Sequence, residues 1–152
     1  MSELNWSLQP FDSLTVSQLY SILAARAAVF VVEQNCPYQD MDAVDAHSLH
    51  LTAWQGEKVA AYLRIVPPAM KFAEPSIGRV LTSSDFRTTG LGRQLMRRGV
   101  EYLDELYPKQ TARIGAQAHL QHFYGEFGFV TDSDIYMEDG IPHVEMVRRV
   151  TG

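Results

Sequence analysis

The stretch RVLTSSDFRTTGLGRQLM, Arg79 to Met96, decides the fold. A β-branched and apolar run (Ile77, Val80, Leu81, Thr82) gives way to small polar residues, then to Arg87, then to a Gly90-x-Gly92 turn that opens directly into an amphipathic helix. Glycines at these two positions let backbone approach an anion with no Cβ in the way. The helix that begins there presents unpaired N–H groups and the positive end of its dipole. With Arg87 and Arg93 beside it, the turn reads as a cradle for phosphate.

Two familiar phosphate loops do not fit. A Walker A loop needs Gly-Lys-Ser/Thr after its four-residue gap, and here Gly92 is followed by Arg93-Gln94. A dinucleotide fingerprint needs a third small residue where this chain has Leu95, and an acid at a distance where none stands. What remains is Arg-x-x-Gly-x-Gly between a strand and a helix. In this the chain resembles the GNAT superfamily of N-acetyltransferases, whose signature is Arg/Gln-x-x-Gly-x-Gly/Ala. The resemblance implies that the anion is the pyrophosphate of acetyl-CoA, held by Arg87, Thr88, Thr89, Gly90, Leu91, Gly92 and Arg93. It also implies that the pantetheine arm lies along Val80, Leu81 and Thr82 like an added strand.

Outward from this core, Asn5 to Phe11 alternates as a first edge strand. Thr15 and Gln18 form a capping box for a helix whose face is Leu19, Leu23, Ala27 and Phe30, running on until Pro37 stops it. Tyr38 to Asp45 is polar loop, and His50 to Trp54 and Lys58 to Val66 make a hairpin turned at Gln55-Gly56-Glu57. Ser76 to Thr82 is the strand before the glycine turn. The helix after it repeats Leu91, Leu95, Gly99, Leu103 and Leu106 and ends at Pro108. Arg113 to Ala116 follows as a strand expected beside the first in parallel, right-handed connection. Leu120 to Phe127 reads as a helix closed by Gly128, with final strands Val130 to Met137 and His143 to Val150 turned at Asp139-Gly140.

These elements predict an α+β domain with a mixed central sheet of about six or seven strands flanked by helices. That order is also the order of the acyl-CoA N-acyltransferase fold, so the resemblance covers nearly the whole chain as a single domain, residues 1 to 152. A second matching motif is AQAHLQHFYGEFGF (Ala116 to Phe129). More narrowly, VFVVEQNCPYQDMD, IGR at 77 to 79, GAQAHLQ and EDGIPH resemble the ElaA subgroup.

Composition sets the bounds. At 46% hydrophobic and 20% charged residues the chain has the make-up of an ordinary globular protein. The single Cys36 cannot form an intramolecular disulfide, which favours a reducing, cytoplasmic setting. Arg26 interrupts the best apolar run, which argues against a membrane span. Net charge is -5. Residues 1 to 50 hold six acids against Arg26 alone, so the excess is local. Nucleic acid is therefore an unfavoured partner, and an acidic acceptor side would suit a cationic small-molecule or peptide amine. Asp40, Asp42 and Asp45 lack the glycine and glutamate of a calcium loop, the histidines have no zinc spacing, and no metal is expected. The family also implies a homodimer as one candidate state.

Acetyl transfer to an amine needs a held thioester, a polarised carbonyl, an uncharged nucleophile and a proton for the leaving thiolate. Tyr124 is the candidate acid: a phenol stays protonated at neutral pH and donates to a thiolate as its charge forms. For the base, Glu33 and His50 rank first among Glu33, Asp40, Asp42, Asp45, His50, His119, Glu138 and His143. One closes the acidic helix segment and the other starts the strand facing it. Ile141-Pro142-His143 is expected, mainly from the resemblance, to reach the acceptor pocket. Two rival readings keep the fold: a non-catalytic acyl-CoA sensor, and an acyltransferase taking a longer donor.

Overall fold

The computed structural model describes residues 3 to 149; Val150, assigned above to the last strand, lies outside the described residues. Strand β1 (Asn5–Pro10) leads through a short 3-10 turn into α1 (Val16–Arg26). The Thr15 capping box forms as expected, with Gln18 N–H on Thr15 Oγ1 at 3.0 Å and Thr15 N–H on Gln18 Oε1 at 2.9 Å. Helical backbone does not stop at Arg26. It continues as a wider π-type segment, Ala27–Glu33.

The buried face of this helix is Ile22, Arg26 and Val29, one step round from the Leu19–Leu23–Ala27–Phe30 stripe expected from periodicity. Arg26 causes the rotation, because its guanidinium is drawn inward by two aspartates. The path from Val16 to Glu33 is 18 residues, long and apolar enough by length and composition to cross a membrane, so Arg26 does not cut the run as expected. That arginine is instead fully buried in ion pairs with the rest of the domain.

β2 (Leu49–Gln55), β3 (Lys58–Val66) and β4 (Ser76–Thr82) complete an antiparallel sheet in the order β1-β2-β3-β4. One face packs Ile22, Val29, Trp54, Val59, Tyr62 and Leu81 beneath α1. The other meets α2 (Leu91–Leu106) through Leu63, Ile77, Leu95 and Leu103. Gly99 sits where α2 comes closest to the sheet: a Cβ there would stand 2.8 Å from Leu63 Cδ2.

β5 (Ala112–Gln117) pairs with β8 (Ile141–Arg148), not with β4. The expected single mixed sheet is therefore two sheets, with eight strands among the described residues, β6 (Val130–Thr131) and β7 (Tyr136–Glu138) also lying on β8. Only the starts of β4 and β5 touch through backbone, Arg113 N–H on Pro75 O at 3.0 Å. Beyond that bond the expected parallel pair has no ladder, and the gap between the strands becomes the cleft.

Two smaller expectations also shift. Val130–Met137 is not one strand, because between Thr131↔Met146 and Tyr136↔His143 two extra residues bulge from the β8 edge. There Ser133 Oγ accepts the N–H of Glu145 at 2.8 Å, a side chain standing in for a ladder carbonyl. The helix expected over Leu120–Phe127 is regular only as α3 (Gln121–Gly125). Gly128 closes it as read: at φ +94° its N–H bonds Gly125 O, and Phe129 N–H bonds Tyr124 O.

Candidate active site

A cleft of about 1110 Å³ opens where β4 and β5 part. Its floor on one side is β4, whose outer edge is unpaired from Ile77 onward. β4 also carries a bulge: Tyr62 pairs with Leu81 and Arg64 with Gly78, so Arg79 and Val80 together face Leu63. Arg79 takes a left-handed φ of +52°, a conformation costing a non-glycine residue about 1–2 kcal/mol. Its side chain holds it there, Nε on Asp40 Oδ1 at 2.8 Å and Nη2 on the Asp40 carbonyl at 2.8 Å. The kink turns the backbone of Val80–Thr82 along the cleft, where all three residues line the wall.

At the end of β4 the chain makes the glycine turn. Thr88 (φ +65°) and Gly90 (φ +80°) are both left-handed, alternating with Thr89 to give the concave run of N–H groups that suits an anion. Gly90 is the N-cap of the 16-residue α2, and no side chain caps that helix end. The two glycines differ in role. Around Gly90 nothing lies within 4 Å of a would-be Cβ, so it is the backbone angle that demands glycine there. At Gly92 a Cβ would meet Thr82 Oγ1 at 3.5 Å, ordinary contact, so this position serves close helix–strand packing.

Both arginines of the turn are matched by carboxylates. Arg87 Nη1 lies 2.7 Å from Glu33 Oε2, and its Nε donates to the Thr82 carbonyl at 3.1 Å. Arg93 binds Glu126 through two bonds of 3.0 and 3.2 Å on the exposed side. Glu33 thus lines the cleft on the side of the phosphate loop, its carboxylate committed to Arg87.

Tyr124 lines the same cleft, set edge-on against Phe123 and Phe129 at centroid distances of 5.2 and 6.5 Å. Burial, with no charge opposing it, pushes its phenol up to about 12. His50, ranked beside Glu33 as a base, is not in the cleft. It is 1% exposed beneath the first sheet. Its Nε2–H donates to the Asp45 carbonyl at 2.9 Å, which leaves Nδ1 to accept from Tyr62 Oη at 2.6 Å. Burial first of all lowers its pKa, so the ring is held neutral and structural.

The acidic third of the chain is also not what its composition suggested. Asp45 accepts from Arg26 at 2.7 and 3.1 Å and from Arg64 at 2.9 Å. Asp42 takes a two-pronged bond from Arg64 at 2.7 and 3.0 Å, and Asp40 binds Arg26 and Arg79. Burial alone would raise the Asp42 carboxyl, but Arg64 and Arg79 outweigh it and bring it down to about 2. Three aspartates and three arginines thus neutralise one another inside the fold. The local excess of acids binds arginines, Arg64 and Arg79 coming from later strands, and is not an open acidic surface for a cationic acceptor.

The wall opposite β4 was only partly legible. Gly115 and Gln117 on β5, Tyr136 and Glu138 on β7, and His143 on β8 all line the cleft. Cys36 reaches it too, its thiol donating to Asp139 O at 3.3 Å in the β7–β8 turn. Among the described residues no group of three or more His, Cys, Asp or Glu side chains is placed to hold a metal ion.

A split sheet, a bulged strand edge and a left-handed turn into an uncapped helix meet in this one cleft. A model of the acetyltransferase (GNAT) domain matches residues 16–150, and the chain belongs to that family. It is similar to protein ElaA of Escherichia coli (strain K12), 43% identical over 149 residues that span 97% of each chain. Among solved structures it is similar to an acyl-CoA N-acyltransferase from Pseudomonas aeruginosa, with 42% identity and a TM-score of 0.91 over 96% of this chain and 99% of that one. The crystal structure of Escherichia coli ElaA matches at a TM-score of 0.90 with the same identity and coverage.

Proposed function

We propose that this acyltransferase moves the acetyl group of acetyl-CoA to a primary amine by direct attack within a ternary complex. The carrying observation is the meeting, in one cleft, of the open β4 edge at Val80–Thr82, the left-handed pair Thr88 and Gly90 before an uncapped helix, and the phenol of Tyr124. Each feature leaves something unsatisfied that the donor would complete. A diphosphate supplies acceptors for the N–H groups of residues 87–93 and competes with Glu33 for Arg87. An amide-bearing arm along β4 pairs with its unladdered backbone, and an N–H there polarises the thioester carbonyl.

Tyr124 is the acid in this reading. Held up to about 12 by burial, it keeps its proton at neutral pH and gives it up to the strongly basic thiolate as the carbon–sulfur bond breaks. The test is thiol release from acetyl-CoA in the presence of a panel of primary amines. Release in the unchanged protein and its loss by about 100-fold or more in Tyr124→Phe, with acetyl-CoA binding heat retained, is the expected result. Binding heat without release for any amine would leave a sensor; faster release from longer acyl donors would replace acetyl by a longer group.

A further inference from the structure

The geometry points to His143 as the base that takes the proton of the acceptor amine, with Glu138 stabilising the imidazolium; the inference rests on the amine acyltransferase reading above. Strand alternation puts acid and base on opposite faces of the second sheet. Ile114, Ala116, Val144 and Met146 point into the core cluster that contains Tyr124. The register pairs Gln117 with His143 and His143 with Tyr136, so these three share the other face. Both faces reach the one cleft, because the sheet ends at the gap beside β4.

The imidazole is built into place. Its Nδ1–H donates to the Ile141 carbonyl at 2.7 Å, which leaves the lone pair on Nε2. Glu138 Oε2 lies 3.4 Å from that Nε2, and the ring packs on Tyr136 at a centroid distance of 5.9 Å. Tyr136 in turn leans over Gly115, where a Cβ would come within 3.1 Å of its hydroxyl. Of the other groups considered as bases, Asp40, Asp42 and Asp45 are bound by arginines and His50 by Tyr62 and the Asp45 carbonyl, whereas Glu33 stands on the phosphate-loop side of the cleft beside Arg87. His119 lines the cleft but is exposed and has no such support.

The protons balance. An alkylammonium gives one proton to Nε2, which passes it to water past the half-exposed Glu138. The freed nitrogen lone pair forms the C–N bond, and the second proton, made acidic once the nitrogen has attacked, is lost to water. As the C–S bond breaks, its electron pair stays on sulfur, which takes the Tyr124 proton; the phenol is refilled from solvent. One proton is released for each amide made.

His143→Asn tests this, because an Asn amide can still donate to the Ile141 carbonyl while removing the Nε2 base. The probes are n-butylamine, charged at neutral pH, and acetohydrazide, whose nucleophilic nitrogen is uncharged there. Turnover with n-butylamine is expected to fall about 100-fold, turnover with acetohydrazide to change little, and calorimetric binding of acetyl-CoA to persist. Imidazole added to His143→Ala is expected to restore n-butylamine turnover in part. Equal losses with both nucleophiles, no loss with either, or loss of acetyl-CoA binding overturns the assignment. Absence of turnover in the unchanged protein with both probes would instead strike the amine acyltransferase reading itself, and this inference with it.

Discussion

Asp45→Asn is the sharpest perturbation of the buried charge network. Asp45 accepts three guanidinium bonds, at 2.7, 3.1 and 2.9 Å, from Arg26 and Arg64, whose side chains are each 1% exposed. Removing one partner of a buried ion pair costs about 3–5 kcal/mol, because the remaining charge stays desolvated. Here the low end applies. Arg26 keeps the Asp40 carboxylate at 2.8 Å, and Arg64 keeps Asp42. A loss of about 3 kcal/mol corresponds to a fall in Tm of about 6–12 °C for a domain of this size.

The same variant carries a pH signature. Burial works to raise the Asp45 carboxyl, but Arg26 and then Arg64 prevail, and it is held below the usual carboxylate range. A folded pKa below the unfolded one means the contribution is complete above the unfolded value of about 3.9 and is lost as pH falls through the folded value. The gap between the two proteins should therefore be widest near neutrality and narrow below about pH 4. Urea unfolding followed by circular dichroism from pH 7 to pH 3 measures both. A gap under about 1 kcal/mol at pH 7, or one that does not shrink in acid, refutes the reasoning.

His50 titrates in the same direction but at higher pH: its lowered pKa means the unfolded chain binds the proton more readily, so stability is complete above about pH 6.5 and declines below it. His50→Gln should show a flatter decline between pH 7 and 5 in the same unfolding assay, and an unchanged slope would count against a neutral buried ring. Gly90→Ala, forced into a φ of +80°, should cost about 1–2 kcal/mol and weaken acetyl-CoA binding, whereas Gly92→Ala is accommodated. Calorimetry and thermal melts check the order, and the reverse order would contradict it. Gly99→Ala places a methyl 2.8 Å from Leu63 Cδ2 and 3.2 Å from Ile77 Cδ1, and overpacking should outweigh the gain in helix propensity by about 1 kcal/mol. A melt at or above that of the unchanged protein would show that the interface yields.

Most elements were legible because their signals are local. The capping box at Thr15 and Gln18, the hairpin around Gly56, the glycine turn and the Gly128 cap each depend on a few neighbouring residues whose backbone preferences survive tertiary context. Which acid or imidazole stands unpaired was not legible for the opposite reason. Sequence ranked Glu33 and His50 by position along the chain, but whether a carboxylate or imidazole is free depends on what faces it. Arg87 occupies one, and Tyr62 with the Asp45 carbonyl occupies the other. The sheet was misjudged similarly. Connection order predicts that β4 and β5 are neighbours, but not whether their ladders close.

The residues alone pointed to an α+β chain with a glycine turn at 87–93 leading into a helix, and by resemblance to the acyltransferase family, because glycine spacing, helix periodicity and motif order are properties of contiguous sequence. Only the tertiary structure decided that the sheet splits, that three aspartates are neutralised by Arg26, Arg64 and Arg79, and that His143 lines the gap with Nδ1 on the Ile141 carbonyl and Nε2 facing Glu138. Those outcomes depend on burial and on charge pairs formed between segments far apart in the chain, and no local pattern encodes which distant partner a charge will meet.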